Sequence, residues 1–227
     1  MYRYFLKRLA DIVLSFLGIV VLAIPMAVFA LIIKLEDPGP ALFRQKRVGI
    51  HKTYFHVLKF RSMKMSTPHD IPTHMLEDPE QYILKCGRWM RKMSIDELPQ
   101  LFNILVGQMS IIGPRPALWN QDDLVAERDR YGANDIRPGL TGWAQINGRD
   151  ELEIPEKAKL DGEYAEALKR GHGRGFAMDC RCFFGTVRSV LRHDGVVEGG
   201  TGEMKKHETE NAPADAAPAE REETVVK

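Results

Sequence analysis

Two adjacent carboxylates, Asp96 and Glu97, stand shortly before a rigid Gly113-Pro114-Arg115-Pro116 turn. An ionised carboxylate can attack phosphorus, and a second one beside it is a hard oxygen ligand for a divalent cation. An arginine held between prolines presents its planar fork to a phosphate at little ordering cost. The combination suggests phosphoryl chemistry. A structural role competes for Glu97, because Ser94 three residues earlier gives capping-box spacing and predicts a helix start. A helix entrance favours anions, so Asp96 is expected to be ionised at neutral pH. Pro99 can push that start later, yet either start keeps both carboxylates at a helix entrance.

These groups need elements to carry them. Ala41 to Val48 and Thr53 to Met63 read as strands joined at Gly49-Ile50-His51-Lys52, a hairpin. In the second strand Leu58 and Phe60 alternate with Lys59 and Arg61, so both cations project from one face. That face suits a phosphate, or is simply solvated. Asp37-Pro38-Gly39-Pro40 is a helix-stopping turn, and Ser66 to Pro79 reads as a loop able to order over substrate, with His69 and His74 on its surface. From Glu80 to Met93 a helical period puts Tyr82, Cys86, Trp89, Met90 and Met93 on one side, with Arg88, Arg91 and Lys92 nearby. Such a helix lies at a headgroup interface or packs in the core. A last helix is expected over Met178 to His193.

Ile12 to Ile33 is a run of 22 residues without a charge, close to the roughly 20 that a membrane-crossing helix needs. Arg3, Lys7 and Arg8 precede it; Lys34, Arg44, Lys46 and Arg47 follow it. Cations on both flanks favour both ends on one side of a bilayer, which a re-entrant helix bent at Pro25 permits and a single span does not. A kinked spanning helix is the competing reading. The run lacks the small-residue cleavage site of a signal peptide.

With 227 residues the chain has room for an anchor and one modest domain, since domains take roughly 100 to 200 residues. The 32 Lys and Arg nearly balance the 31 Asp and Glu, which gives no case for nucleic acid. Three cysteines, Cys86, Cys180 and Cys182, show no metal-ligand spacing and read as packing residues in a reducing compartment. Residues 205–227, rich in Ala, Glu and Pro, are expected to form a disordered tail.

Four motifs in order carry a resemblance: Lys59-Phe60-Arg61-Ser62-Met63, Asp96-Glu97-Leu98-Pro99-Gln100-Leu101, Met109 to Pro116, and Arg137 to Arg149. Together they resemble the bacterial sugar transferases known as monotopic phosphoglycosyl transferases, in their small form, over about Lys7 to Met204. The resemblance implies an α/β membrane-associated enzyme with a re-entrant anchor over 1–36 and a cytosolic, interfacial transferase domain over 37–204. Such an enzyme moves a sugar-1-phosphate from a UDP-sugar to polyprenyl phosphate and releases UMP, at the cytoplasmic face of the bacterial inner membrane. It begins the assembly of a surface glycan or glycoprotein glycan.

The same resemblance implies an Asp-Glu dyad working with Mg²⁺ through a covalent aspartyl phosphosugar, with Asp96 as nucleophile and both Asp96 and Glu97 able to ligate the metal. Arg115, then Lys59 and Arg61, then Arg137 and Arg149, are the substrate-binding candidates. Asp161 and Tyr164 match an Asp-x-x-Tyr pattern that implies a nucleotide or sugar contact. Trp143 fits the interface or the nucleotide, while Gly139, Gly142 and Gly148 are read as turn formers. Gly171 to Gly175 and Asp179 to Cys182 depart from the family's more regular apolar stretch, which bears on donor choice. Membrane lipid, later glycosyltransferases and a second copy of the chain are the further partners this reading admits. A lipid-phosphate or UDP-sugar hydrolase, and an inactive scaffold for glycan assembly, are the alternatives.

Overall fold

The computed structural model of the chain describes residues 2–67, 79–148, 152–171 and 173–192. A short π-helical segment, Tyr2–Leu6, leads into α1 (Lys7–Glu36), a single 30-residue helix, about 45 Å long at 1.5 Å per residue. Pro25 lies inside it and has no N–H for the Val21 carbonyl, but the helix continues on both sides. Only 11% of its most apolar window is buried. Val21, Ile24 and Leu35 are 72%, 78% and 75% exposed, an apolar face too long for an aqueous surface and suited to lipid. The helix is long and apolar enough to cross a membrane.

Its other face is fastened along its length. Lys7 pairs with Asp179 at 2.9 Å. Arg8 donates to the carbonyls of Ile104 and Leu105, and Asp11 accepts from the Ser110 hydroxyl and the Ile111 N–H. Met26 and Ile33 enter a core with Ala41, Phe60, Leu84 and Met90. At the far end Glu36 accepts from the Cys86 N–H, and Asp37 pairs with Arg61. Both ends of α1 therefore hold the same body.

The predicted hairpin forms. β1 (Leu42–Val48) and β2 (Tyr54–Phe60) pair antiparallel from Leu42↔Phe60 to Val48↔Tyr54. His51 and Lys52 turn the chain in left-handed conformations, φ 53° and 60°. Phe55 and Val57 face inward onto Leu101 and Ile104 of α3 (Gln100–Leu105). Between hairpin and α3 lies α2 (Lys85–Lys92), shorter than the helical period implied because Pro79–Tyr82 is a separate 3₁₀ turn. Met90 is wholly buried while Trp89 is 52% exposed, so the helix serves the core on one side and presents an aromatic ring on the other.

The second half is built on β3 (Ser110–Ile112) and β4 (Gly139–Thr141), a parallel pair. Around them lie α4 (Asp122–Arg130), the short α5 (Trp143–Ile146), α6 (Ile154–Arg170) and α7 (Arg174–Arg192). The last begins four residues before the predicted Met178. Ile112, Tyr164, Ala165, Leu168 and Cys182 form the core here, and Val48, Ala117, Leu124 and Ala158 link it to the hairpin. The fold is mixed α/β, with two two-stranded sheets among the described residues. Most of the loop read over Ser66 to Pro79, with His69 and His74, and the tail over 205–227 lie outside the described residues.

Candidate active site

Three elements converge on Glu97. It closes a 3₁₀ turn, Ile95–Glu97, before α3; Lys59 reaches it from β2, and Arg115 from the turn after β3. Lys59 Nζ lies 2.7 Å and Arg115 Nη2 3.0 Å from the same oxygen, Oε1. The capping box does not form: Ser94 is left-handed at φ 55° and its side chain caps nothing. Pro99 delays the helix to Gln100, and an ionised Glu97 gains more from two cations than from one backbone N–H. Burial by itself would raise the Glu97 pKa, but Arg115 and Lys59 hold it well below the ordinary carboxylate range.

Asp96 next to it is different. Among the described residues no hydrogen bond or ion pair engages its carboxylate, and burial pushes its pKa up against the attraction of Lys59. One carboxylate of the pair is pinned and charged; the other is left available. A nucleophile needs an unengaged lone pair, and Asp96 has it.

Beyond Arg115 the site widens. A cavity of ≈150 Å³ is lined by Arg47, Arg115, Leu124, Arg128, Gln145 and Asp161 among others. It shares Arg47, Arg115 and Pro116 with the cleft that holds Lys59 and Glu97. Arg47 comes from β1 and is anchored on Gln45 and on the Pro116 carbonyl. Desolvation and the nearby Arg115 lower its pKa to about 10, against the opposing pull of Glu97. From the sequence Arg47 reads only as a flank of the anchor. Its signal was present in the basic run Arg44-x-Lys46-Arg47, but the strand register had to be known to aim it.

The two motifs after α3 are interlocked by backbone. The Gly113 N–H donates to Thr141, and the Gly139 N–H to Pro114, each at 2.8 Å. A Cβ on Gly139 would sit 2.1 Å from the Gly113 nitrogen, and one on Gly142 would sit 2.1 Å from the Gly113 oxygen. These glycines are therefore required for close approach of two chains, and not for turns as the sequence suggested; Gly148, at φ +138°, does fit a turn. The interlock places Arg115 and Gln145 around one cavity.

Most of the other sequence candidates lie elsewhere, although Asp161 lines the same cavity. Arg61 falls just past the end of β2 and is buried against Asp37 and the Pro40 carbonyl, so its charge closes the end of α1. Arg137 donates to the Gly107 carbonyl and lines a separate cleft with Arg3, Lys7 and Arg8. Tyr164 is 1% exposed and donates to Asp179, a core role. Trp143 donates to Glu163 at 3.0 Å, which ties α5 to α6. Asp161 is 1% exposed; its Oδ2 accepts from Arg128, joining α4 to α6 beside the cavity. Arg149 lies outside the described residues.

A model of the family described as bacterial sugar transferase matches residues 2–193. The chain belongs to this family. It is 36% identical over 191 residues to an uncharacterized sugar transferase, EpsL, of Bacillus subtilis, covering 84% of this chain and 90% of that protein. It is 40% identical over 172 residues to the UDP-glucose:undecaprenyl-phosphate glucose-1-phosphate transferase of Escherichia coli, covering 70% of this chain and 36% of the relative. It is 34% identical over 211 residues to the undecaprenyl-phosphate galactose phosphotransferase of Salmonella typhimurium, covering 84% and 41%. This bacterial sugar transferase thus spans well under half of the two enterobacterial relatives and nearly all of the Bacillus one.

Among the described residues no three His, Cys, Asp or Glu side chains gather as a metal cage. Mg²⁺ does not need one: it commonly takes one or two carboxylates and completes its shell with substrate phosphates and water. The adjacent oxygen donors Asp96 and Glu97 fit that mode. The arrangement as a whole, an available carboxylate beside a fixed one, three cations and a cavity behind them, is suited to displacement at a diphosphate.

Proposed function

We propose that the chain transfers a sugar-1-phosphate from a UDP-sugar to polyprenyl phosphate, with Asp96 as nucleophile. The observation that carries the reading is the contrast within the dyad: Glu97 is fixed by Lys59 and Arg115 in a cleft that Arg47 also lines, while its neighbour Asp96 is unengaged. An Asp96 carboxylate oxygen attacks the phosphorus that bears the sugar, and the bond from that phosphorus to the bridging oxygen breaks. UMP leaves with the electron pair. A phosphate oxygen of the lipid then attacks the same phosphorus, and the acyl phosphate bond to Asp96 breaks, which restores the carboxylate. Two displacements suit a soluble donor and a lipid acceptor that arrive from different phases.

Lys59, Arg47 and Arg115 hold the diphosphate and offset the charge that builds on its oxygens. Asp96 and Glu97 would hold Mg²⁺, which supplies further neutralisation of the phosphate oxygens when bound. The names of the relatives support a polyprenyl-phosphate acceptor for this chain.

The anchor lies re-entrant at the cytoplasmic face of the bacterial inner membrane, with 1–36 as membrane segment and 37–204 as transferase domain. The attachment of both ends of α1 to one body supports this, because a straight span would carry one end to the opposite side. Incubating the detergent-solubilised chain with polyprenyl phosphate, Mg²⁺ and a panel of UDP-sugars should give UMP and a lipid-linked sugar. Asp96→Asn should abolish both. Free sugar phosphate without lipid product would replace the transferase reading with a hydrolase, and an Asp96→Asn variant at near-normal rate would remove the nucleophile.

A further inference from the structure

Three polar atoms in the interior lack a partner among the described residues: both amide atoms of Gln145 and Oδ1 of Asp161. Buried polar groups are nearly always paired, so an orphan needs an explanation. Here the three belong to two side chains that line the same ≈150 Å³ cavity. Asp161 is 1% exposed and its other oxygen is already taken by Arg128. Gln145 stands on α5 directly behind the Gly113–Gly142 contact, its Oε1 only 2.9 Å from where a Cβ on Gly142 would lie. The backbone around it is thus held closely, and no neighbouring donor or acceptor satisfies it. The orphans point to a ligand.

The order of groups along the cavity identifies it, given the transferase reading above. The sugar-bearing phosphorus must sit at Asp96, and Lys59, Arg47 and Arg115 follow as the diphosphate cations. Gln145 and Asp161 lie in the part of the cavity that does not border Glu97. What extends there from a diphosphate held by Arg47 and Arg115 is the nucleoside. A glutamine amide offers one donor edge and one acceptor, side by side and coplanar. The imide edge of uracil offers the complement, an N3–H donor beside a carbonyl acceptor. Ala117, Ala144 and Pro116 leave flat, small walls for a ring.

We propose that Gln145 reads the uracil of the donor through paired hydrogen bonds to its imide edge, and that Asp161 Oδ1 accepts from a hydroxyl of the ribose. Gln145 is then the base-specificity residue. Its removal leaves the phosphate grip intact and erases the distinction between bases.

Calorimetric titration of the full-length chain in detergent with Mg²⁺ tests this, using UMP, 3-methyluridine monophosphate and inorganic pyrophosphate. Methylation at N3 removes the donor that Gln145 needs. The wild-type chain should bind UMP about tenfold to a hundredfold more tightly than the methylated nucleotide, the usual discrimination of a bidentate amide pair. Gln145→Ala should bind UMP weaker by a similar factor, bind both nucleotides alike, and keep its pyrophosphate affinity within about twofold, since no phosphate contact is removed. Equal affinity of the wild type for the two nucleotides would overturn the proposal, as would a Gln145→Ala chain that still discriminates or loses pyrophosphate binding equally. Should that variant not fold, the two wild-type titrations decide alone. None of these readouts uses turnover, so a chain that discriminates the bases but makes no lipid product would sink the transferase reading and leave the base site standing.

Discussion

The Arg128–Asp161 pair is the most deeply buried ion pair beside the cavity, its side chains 5% and 1% exposed. Arg128 gives two hydrogen bonds to Asp161 Oδ2, at 2.8 and 2.6 Å, and one to the carbonyl of Arg115. Asp161→Asn keeps the shape and removes the charge, so it leaves a guanidinium buried without its counter-ion. Breaking a buried pair in this way costs about 3–5 kcal/mol. The amide oxygen still accepts one bond, so a loss near 3 kcal/mol is expected. For a chain of this size that corresponds to a fall in melting temperature of about 6–12 °C. Thermal unfolding in detergent, followed by tryptophan fluorescence, measures it. The double variant Arg128→Met, Asp161→Ala buries no charge and should recover at least half of the loss. If Asp161 also serves the nucleoside, the double variant regains stability without regaining UMP affinity. A single variant that melts within 2 °C of wild type, or a double variant less stable than the single, would refute the assignment of this pair as a charge-balanced link between α4 and α6.

Other consequences follow from the dyad and the anchor. Because Lys59 and Arg115 lower the pKa of Glu97, its contribution to stability is complete above the unfolded value near 4.5 and is lost as pH falls below it toward the depressed folded value. Melting curves at roughly pH 5 to 2 should show this decline, with little change between about pH 7 and 5, and the decline should be reduced in Glu97→Gln. Lys59→Met removes the charge-assisted contact to Glu97 and, on the proposed reading, one to the donor diphosphate, each worth about 1.5–3 kcal/mol. A fall in kcat/KM of about tenfold to a hundredfold is expected in steady-state UMP release. Chelation by EDTA should stop UMP release and added Mg²⁺ should restore it, while release at full rate in chelator would exclude the metal role given to Asp96 and Glu97. Single cysteines placed at positions 6 and 36 should both react with an impermeant thiol reagent from the cytoplasmic side; periplasmic labelling of either would make α1 a span.

Much of the site was legible because its chemistry is local. Asp96 and Glu97 are neighbours, Arg115 is set between prolines, and strand parity aims Lys59; the structure brings Lys59, Glu97 and Arg115 within hydrogen-bond reach. Parity failed for Arg61 because β2 ends at Phe60, and beyond it the side chain pairs with Asp37 at the end of α1. The capping-box spacing of Ser94 and Glu97 is also local, but two distant cations outcompeted it. Arg47 and Gln145 could not have been placed from the sequence, since one depends on the hairpin register and the other on a parallel pairing of β3 and β4. Gly139 and Gly142 show the same limit: a close approach of remote backbones and a turn leave the same residue type behind.

The grip of the body on α1 at Lys7 and again at Asp37 removes any tether between what floats and what reacts. A protein attached through a flexible stalk samples many heights above a lipid sheet; this one has its waterline set by the fold. If Asp96 is the nucleophile proposed above, it meets a lipid phosphate at one fixed altitude, whatever the length of the isoprenoid tail.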